Sequence, residues 1–345
     1  MIICLVPAHN EEDVIADCLA HLLAQTRRLD RIVVIAHNCT DKTSSVALEM
    51  GAEVLEVSEG NTKAHALNAA YRMLEGNLTA EDSLLIVDAD SYLSPAFVEE
   101  ASREIASGYS AVGGVFRGRS GSPGDGLVSR YVTFCKQQEY LRYERDVARL
   151  HGKALTLTGT AMLLTVDAAR SICASRETGM LYTTSSLVED LDLSVRLVSL
   201  GHRVIAPTSC SLTTETMGSV GNLWRQRVRW KEGAVRTIMD YGFIPGTREL
   251  TLRLIWGAVG IVATAAYLAT LIYGVALGSF HLYPVWAAIT AIFAAEHAAS
   301  VYKRGGVIRA ALGAILVFEA PYELFLQAAH AYSYIRAIFN PSTNW

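Results

Sequence analysis

The sequence lacks the glycine-rich phosphate loops that many nucleotide-binding proteins carry. No glycine occurs before Gly51, so the first apolar run cannot lead into the G-x-G-x-x-G turn of a dinucleotide-binding Rossmann domain. The Walker A pattern G-x-x-x-x-G-K-S/T is also absent. If this protein binds a diphosphate, it must therefore do so by other means, such as a bridging cation.

Cysteine pairs and positive charge are scarce as well. None of the 6 cysteines belongs to a C-x-x-C pair, which argues against a zinc site or a disulfide framework and favours a reducing compartment. The 30 Lys and Arg residues are outnumbered by 34 Asp and Glu residues, so we expect no nucleic-acid partner. The first residues lack a basic region and reach Glu11 early, which predicts a strand and a turn rather than a signal peptide.

Charge nearly disappears from the last part of the chain. Residues 251–345 contain only five Lys and Arg and three Asp and Glu residues, and the stretch from Leu254 to Ala295 contains none. A membrane-spanning helix needs about 20 apolar residues, so this stretch is long enough for two. The spans that we predict are 254–277, 284–301 and 310–335.

Basic residues predict an orientation for these spans. The loop after the second span carries Lys303, Arg304 and Arg309, whereas the loop before it carries no Lys or Arg. The positive-inside rule places the basic loop, and with it residues 1–250, in the cytoplasm. We therefore expect a multi-pass protein of the cell membrane, embedded in the lipid bilayer, with its soluble part in the cytoplasm.

Three carboxylates, Glu296, Glu319 and Glu323, fall within the predicted membrane region. They are costly at membrane depth and should face a partner or water. One hypothesis is that they line a path for a hydroxyl-rich chain. We favour the other, in which they have structural partners on neighbouring helices.

Short apolar runs alternate with helix-period stretches in the soluble part. This pattern predicts an α/β fold, with a mostly parallel sheet covered by helices on both faces. The predicted strands are Ile2–Val6, Ile32–Ile35, Glu53–Val57, Leu84–Val87, Ala111–Phe116, Thr156–Leu164 and Arg203–Ala206. The predicted helices are Glu11–Gln25, Asp41–Met50, Thr62–Leu74, Pro95–Ala106, 127–149 and 220–240. Polar clusters follow the first, second and fourth strands, at the sheet edge where such folds bind ligands.

One of these clusters is Asp88-Ala89-Asp90, directly after a strand. Two carboxylates one residue apart can hold Mg²⁺ or Mn²⁺, which prefer hard oxygen ligands and can bridge to a diphosphate. Alternatively, Asp90 merely precedes a helix that starts at Ser94-Pro95. The position at a strand end favours the metal site.

A second acidic motif, Val188-Glu189-Asp190, opens a helical pattern. Acidic residues stabilise the first turn of any helix through its dipole. The other interpretation is that Asp190 is a general base, with Glu189 and Asp192 as rivals.

The sequence Q-R-V-R-W at 226–230 places Gln226, Arg229 and Trp230 on one helical face. A guanidinium can hold a diphosphate and an indole can pack on a sugar ring. The same stretch equally suits an amphipathic helix at the lipid headgroups. In that case four basic residues are surface charge: Arg225, Arg227, Arg229 and Lys231.

Six motifs, taken in order, resemble glycosyltransferase family 2. They are P-A-H-N-E-E at 7–12, N-C-T-D at 38–41, K-A-H-A-L-N at 63–68, D-A-D at 88–90, V-E-D at 188–190 and Q-R-V-R-W at 226–230. The last motif, followed by apolar helices, is similar to the membrane-integrated synthases of cellulose, chitin and hyaluronan. The resemblance implies a GT-A fold and inverting transfer from a UDP-sugar, with Mg²⁺ or Mn²⁺, to a glycan or lipid-linked acceptor in polysaccharide synthesis.

The resemblance also implies roles for single residues. Asp190 matches the catalytic base, Asp90 the metal ligand and Asp88 a contact to the uridine side of the donor. The other residues that would contact the nucleotide-sugar are Pro7, Ala8, Asn10, Glu11, His37, Lys63 and Ala89. Those that would contact the diphosphate or the acceptor are Gln226, Arg229, Trp230, Gly159, Thr160 and Glu189.

The resemblance divides the chain into a cytosolic GT-A domain (1–217), interface helices (218–250) and a membrane region (251–345). One departure from the family is His37, which stands where many members have an acidic residue and leaves the donor base open. Three other functions remain: a polyprenyl-phosphate or other lipid glycosyltransferase adding one sugar, a non-processive enzyme decorating a glycan, and a non-catalytic receptor or channel. A homo-oligomer is also left open.

Overall fold

The computed structural model describes residues 1–119, 126–154, 156–215, 219–278 and 284–339. The chain forms two compact units, each of which is described by itself. The first unit comprises residues 1–120, 146–216 and 244–246, and the second comprises 121–145, 217–243 and 247–345. The predicted boundary between 217 and 218 falls at residues outside the described ranges. Residues 126–145, which the sequence division assigned to the first domain, belong to the second unit.

The first unit is built on a seven-stranded sheet with the order β3-β2-β1-β4-β8-β6-β9. Its neighbours pair in parallel except β8, which is antiparallel to β4 and β6. A smaller sheet has the order β5-β10-β7. The strands are β1 Ile2–Ala8, β2 Arg31–His37, β3 Glu53–Val57, β4 Ser83–Val87, β5 Ser91–Leu93, β6 Ala111–Gly113, β7 Val115–Gly118, β8 Ala161–Thr165, β9 Val204–Ile205 and β10 Ser211–Thr214.

Helices cover this sheet and make up most of the second unit. They are α1 Ile15–Leu23, α2 Thr43–Glu49, α3 Lys63–Leu74, α4 Phe97–Ala106, α5 Leu127–Arg149, α6 Val166–Ala174, α7 Glu189–Ser199, α8 Val220–Tyr241, α9 Arg248–Ala276, α10 Pro284–Ala314 and α11 Leu316–Phe339. Helix α1 buries Ile15, Cys18, Leu19 and Leu22, the spacing of a single apolar face. Strand β4 is buried along its whole length, which is consistent with the unbroken apolar run from Leu84 to Val87.

Most of the predicted strands are present, but the one predicted at Thr156–Leu164 begins only at Ala161, and another is divided. The run predicted at Ala111–Phe116 becomes β6 and β7, because the chain changes sheets at Gly114. The Gly114 N–H bonds to the Ala161 carbonyl in the large sheet, whereas the Val115 N–H bonds to the Cys210 carbonyl in the small one. A Cβ on Gly114 would lie 2.3 Å from Leu212 Cδ2, so no larger residue fits this crossing.

The segment after Asp90 differs in part from the prediction. Strand β5 follows Asp90 directly, and helix α4 begins at Phe97, two residues after Pro95. The two interpretations of Asp90, as a metal ligand and as a residue ahead of a helix start, both stay predictions. Strands β5 and β10 and helix α6 were not predicted.

In the second unit, α9 is the one helix in the described ranges that is long and apolar enough to cross a membrane, by length and composition only. An 18-residue window of α9 has a mean hydropathy of 1.9, and none of that window is buried. Helix α10 contains the predicted span 284–301 and bends at Gly306, where φ is 77°. Most of the predicted span 310–335 lies within α11.

The three carboxylates of the predicted membrane region pair with arginines of α5. Arg142 lies 2.7 Å from Glu319 and 3.3 Å from Glu323, and Arg145 lies 2.5 Å from Glu296. Glu319 is almost fully buried. These pairs are the structural partners that one of the two hypotheses predicts.

Candidate active site

The carboxyl ends of β1, β2 and β4 border a cavity of about 700 Å³ in the first unit. Parallel strands place the loops that follow them at one edge of a sheet, which is where such folds bind ligands. Eight residues singled out from the sequence line the cavity: Pro7, Ala8, Glu11, His37, Lys63, Asp88, Ala89 and Asp90. Four lining residues were not singled out: His9, Asn38, Asn61 and Ala66. His9 and Asn38 belong to the polar clusters, whereas no signal marks Asn61.

Two asparagines hold the turns around the cavity. Asn10 and Asn38 have φ angles of 57° and 52°, a conformation that asparagine tolerates better than most residues. The Asn10 Oδ1 accepts a hydrogen bond from the Thr40 N–H at 2.7 Å, which joins the loops after β1 and β2. Asn10 is not among the cavity-lining residues, so its place in the site is to hold this turn.

His37 lines the cavity but uses one ring nitrogen elsewhere. Its Nε2 lies 3.1 Å from the Glu59 carbonyl and 3.0 Å from the Gly60 carbonyl. Carbonyl oxygens only accept, so Nε2 carries a hydrogen and donates it to this loop. The backbone oxygen of His37 accepts in turn from His9 Nδ1 at 2.7 Å. The Nε2–H group of His37 is thus engaged by the 59–60 loop.

Lys63 connects the two acidic motifs. Its ammonium hydrogen-bonds to the Asp88 carboxylate and, at 3.1 Å, to the Gly159 carbonyl. Glu189 Oε1 lies 3.7 Å from the same ammonium. The Gly159 N–H donates to Asp190 Oδ2 at 2.7 Å, so one chain of contacts runs from Asp88 through Lys63 and Gly159 to Asp190.

A side chain at position 159 would be tightly placed. A Cβ there would lie 3.1 Å from Lys63 Nζ and 3.2 Å from Asp190 Oδ2, so both of these side chains would have to shift. The neighbouring Thr160 carbonyl accepts from the Asp88 N–H at 3.0 Å. Gly159 and Thr160 therefore contact both acidic motifs: Gly159 bonds to Asp190 and Thr160 bonds to Asp88.

Two carboxylates of the cavity, Glu11 and Asp90, have raised pKa values. Burial first, and then the charges of Asp90 and Asp88, raise the pKa of Glu11 to about 7. Burial and the charge of Asp88 raise the pKa of Asp90 to about 6, although Lys63 opposes the shift. The cavity thus concentrates negative charge that Lys63, the ion-pair partner of Asp88, neutralises only in part.

Asp190 is also perturbed. Burial and the charge of Glu189 raise its pKa to about 6, against the effects of Lys63 and the Gly159 N–H. This value lies above the ordinary carboxylate pKa near 4. At neutral pH Asp190 remains mostly ionised, with a basicity better matched to accepting a proton.

The two rivals of Asp190 have other partners. Asp192 is buried, 2.6 Å from Arg176, and accepts from the Thr183 hydroxyl at 2.9 Å. Glu189 faces Lys63. Asp190 bonds only to backbone N–H groups among its described hydrogen bonds, those of Gly159 and Leu191.

The Q-R-V-R-W residues lie on α8, in the second unit. Arg229 is exposed, whereas Gln226 and Trp230 are half-buried. Arg227 is buried, lies 2.7 Å from Glu139 and stacks over the Trp230 ring at 5.0 Å. The interpretation of all four basic residues as surface charge is therefore wrong for Arg227.

No group of three or more His, Cys, Asp or Glu side chains within the described ranges could hold a metal by itself. Asp88 and Asp90 supply two carboxylates, and their raised charge density favours a cation. Mg²⁺ typically binds through one or two carboxylates plus substrate phosphates, so this donor set fits a divalent ion shared with a diphosphate.

Comparison with known proteins identifies the family of the chain. The family model described as "Glycosyltransferase like family 2" matches residues 2–233. An uncharacterized glycosyltransferase, YaiP of Escherichia coli K12, is 26% identical over 79% of this chain and 64% of its own length. The poly-beta-1,6-N-acetyl-D-glucosamine synthase of Staphylococcus aureus MSSA476 is 23% identical over 68% of this chain and 55% of its own. The chain thus spans less than two thirds of either relative.

A solved structure has a similar fold. The mannosyltransferase PcManGT from Pyrobaculum calidifontis, in complex with GDP-Man and Mn²⁺, superposes with a TM-score of 0.60. It is 20% identical, and the match covers 99% of this chain and 88% of that one. The fold is GT-A-like, with a mostly parallel Rossmann-type sheet, and the chain belongs to glycosyltransferase family 2.

Proposed function

We propose that this protein is an inverting, membrane-bound glycosyltransferase that moves a sugar from a UDP-sugar to a glycan or lipid-linked acceptor. The observation that supports it best is the chain of contacts from Asp88 through Lys63 and Gly159 to Asp190. These contacts connect the candidate base, through Gly159 and Lys63, to Asp88 at the edge of a cavity of about 700 Å³. The similarity to a poly-N-acetylglucosamine synthase favours polysaccharide synthesis as the context.

In this proposal Asp190 accepts the proton of the acceptor hydroxyl while that oxygen attacks the anomeric carbon. The bond from that carbon to the diphosphate breaks on the opposite face, and UDP leaves with the electron pair. Lys63 donates to Asp88 and to the Gly159 carbonyl, which fixes the geometry of both acidic motifs. General-base catalysis of this kind contributes typically about 10²–10⁴-fold.

A divalent cation, Mg²⁺ or Mn²⁺, would be held by Asp90, with Asp88 beside it. When bound, it supplies positive charge that stabilises the leaving diphosphate. The mutual repulsion of Glu11, Asp88 and Asp90 supports this assignment, because a cation removes it. Asp90 remains the residue that we assign to the metal.

The remaining assignments also stay proposals. We propose that Gln226, Arg229 and Trp230 contact the diphosphate or the acceptor. We also propose membrane attachment through α9, because its apolar window is exposed to solvent in the isolated chain. Further spans at 284–301 and 310–335 and a cytoplasmic first unit belong to the same proposal.

The test is turnover by the full chain in lipid nanodiscs. The protein is incubated with a panel of UDP-sugars and GDP-sugars and Mn²⁺, and the release of nucleoside diphosphate and the product size are measured. We expect UDP release that is lost in Asp90→Asn and kept in Asp13→Asn, which removes an exposed carboxylate near the same loop. No release from any donor by folded protein would refute the enzyme proposal, and turnover of GDP-sugars alone would refute the UDP assignment. A product with one sugar per lipid would favour the lipid glycosyltransferase instead.

A further inference from the structure

A lysine is buried in the second unit without an acidic partner. Lys136 on α5 is 1% exposed. Within the described ranges its ammonium has no ion pair or hydrogen bond, and its contact is the face of the Tyr140 ring, 5.7 Å away. An unpaired buried ammonium is costly, because the ring replaces only part of the lost hydration. A residue of this kind calls for a ligand that supplies the missing negative charge.

Its charged neighbours on α8 are also basic. Arg227 and Lys231 lie one helical turn apart and so share a face of α8. Burial and the charge of Arg227 lower the pKa of Lys136 to about 8, and the same two causes lower the pKa of Lys231. Positive charges thus crowd one another between α5 and α8.

One carboxylate serves this cluster. Glu139 lies 2.7 Å from Arg227 and also accepts from the Tyr322 hydroxyl at 2.8 Å. The Nε of Arg227 is buried and has no acceptor among the described residues. Among the described residues, Glu139 is thus the ion-pair partner of Arg227, Lys136 and Lys231 have no ion pair, and one donor of Arg227 is unused.

We propose that Lys136, Arg227 and Lys231 form a binding site for the phosphate group of a lipid. Phosphate oxygens accept from both guanidinium and ammonium groups, and one phosphate would neutralise the excess charge that Glu139 leaves. A lipid source fits because the cluster belongs to the unit that carries the exposed apolar helix α9. The proposal does not depend on the proposed transfer reaction, because binding is measured without a sugar donor.

A purely structural role for Lys136 makes different predictions. If Lys136 holds the unit together, replacing it with an apolar residue of similar length destabilises the protein. If Lys136 instead binds a phosphate, Lys136→Met should leave the Tm of the ligand-free protein unchanged or raise it, because the substitution removes a buried unpaired charge. The stabilisation that a ligand gives should then disappear.

The experiment uses the full chain in phosphatidylcholine nanodiscs. Tm shifts and binding are measured with four probes: polyprenyl phosphate, the matched polyprenol, phosphatidylglycerol and inorganic phosphate. We expect polyprenyl phosphate or phosphatidylglycerol to bind, and Lys136→Met to weaken that binding at least about tenfold. The matched control is Arg225→Met, which removes an exposed charge of α8 that bonds to Asn222.

Each outcome decides. Binding of one phosphate lipid, lost in Lys136→Met and kept in Arg225→Met, supports the site and identifies the lipid. Equal binding of the polyprenol, unchanged affinity in Lys136→Met, or a lower ligand-free Tm in that variant overturns it. Tighter binding of inorganic phosphate than of either lipid overturns the lipid source. If Lys136→Met does not fold, Lys231→Met gives the same comparison at a less buried position.

Discussion

The cavity of the first unit and the helices of the second both bury carboxylates, but they surround them differently. In the cavity, Glu11, Asp88 and Asp90 repel one another, and burial together with this repulsion raises the pKa of Glu11 and of Asp90. In the second unit, Glu319 is almost fully buried yet lies 2.7 Å from Arg142. Arginines pair with the buried carboxylates of the second unit, whereas in the cavity Lys63 pairs with Asp88 and no described ion pair serves Glu11 or Asp90.

This difference separates structural charge from charge kept for a ligand. A buried ion is expensive without a partner, so an uncompensated one persists where binding restores the balance. By this criterion, we interpret the cavity as the candidate ligand site and the arginine pairs of α5 as structural ion pairs. Lys136 is the exception in the second unit, and for the same reason we assign it a ligand.

The largest expected effect separates two aspartates of α7. Asp190→Asn should lower kcat about 10²–10⁴-fold with little change in Tm, because it removes the candidate base and keeps its size. Asp192→Asn should lower Tm by contrast, because Arg176 loses its buried partner at a cost of about 3–5 kcal/mol. Both variants are assayed for transfer and by thermal unfolding. Near-normal turnover in folded Asp190→Asn would reject the base assignment.

The second effect tests the compensated charges. Arg142→Met leaves Glu319 buried without its cation, which should cost about 3–5 kcal/mol and lower the Tm of the full chain in nanodiscs. Adding Glu319→Gln to this variant should recover part of the loss, because the unpaired charge is gone. If Arg142→Met unfolds like the unmodified chain, these pairs do not have the structural role that we describe.

A third, smaller effect concerns pH and metal. The pKa of Glu11 rises from an ordinary 4.5 to about 7 on folding, so the folded state binds more protons than the unfolded state between these values. Stability from this group is therefore full below about pH 4.5 and is lost as the pH rises through 7. In metal-free buffer, Tm should fall more steeply over this window in the unmodified chain than in Glu11→Gln. Mn²⁺ should restore Tm at pH 7.5.

The comparison of the two pH profiles is the control, because other titrating groups are common to both proteins. Equal slopes in the two proteins would show that Glu11 does not carry the shift. A Tm that Mn²⁺ leaves unchanged at pH 7.5 would contradict a cation at this cluster.

Local patterns were sufficient to predict the sheet and the acidic motifs. Strand β4 is an unbroken apolar run, and Asp88 and Asp90 follow it directly, so the period and the polarity change are both visible in the sequence. Chain order did not indicate that Lys63 bridges Asp88 and Gly159, because that contact depends on how three separate loops meet. The spacing argument therefore found the members of the site but not their connections.

Three features could not be predicted from the sequence: a very short strand, the distant partners of an arginine, and one residue that lines the cavity. Strand β5 has three residues, too few for an alternating pattern to be recognised. The partners of Arg142 lie more than 170 positions away, at 319 and 323, and no periodicity relates them. Asn61 lines the cavity from an ordinary polar loop, where nothing distinguishes it from its neighbours.

The smallest expected effect is the loss of stability on breaking an exposed ion pair, which we compare with the loss on breaking a buried one. Arg31 and Glu53 join β2 to β3 through two hydrogen bonds of 2.8 and 2.7 Å, a geometry better than that of many surface pairs. Both side chains are exposed, so water already solvates the two charges and salt screens their attraction. Arg31→Gln should therefore change the free energy of unfolding by less than about 1 kcal/mol and leave turnover unaltered. A loss as large as that of Arg142→Met, measured in the same nanodiscs, would mean that burial is not what distinguishes the structural ion pairs of this protein.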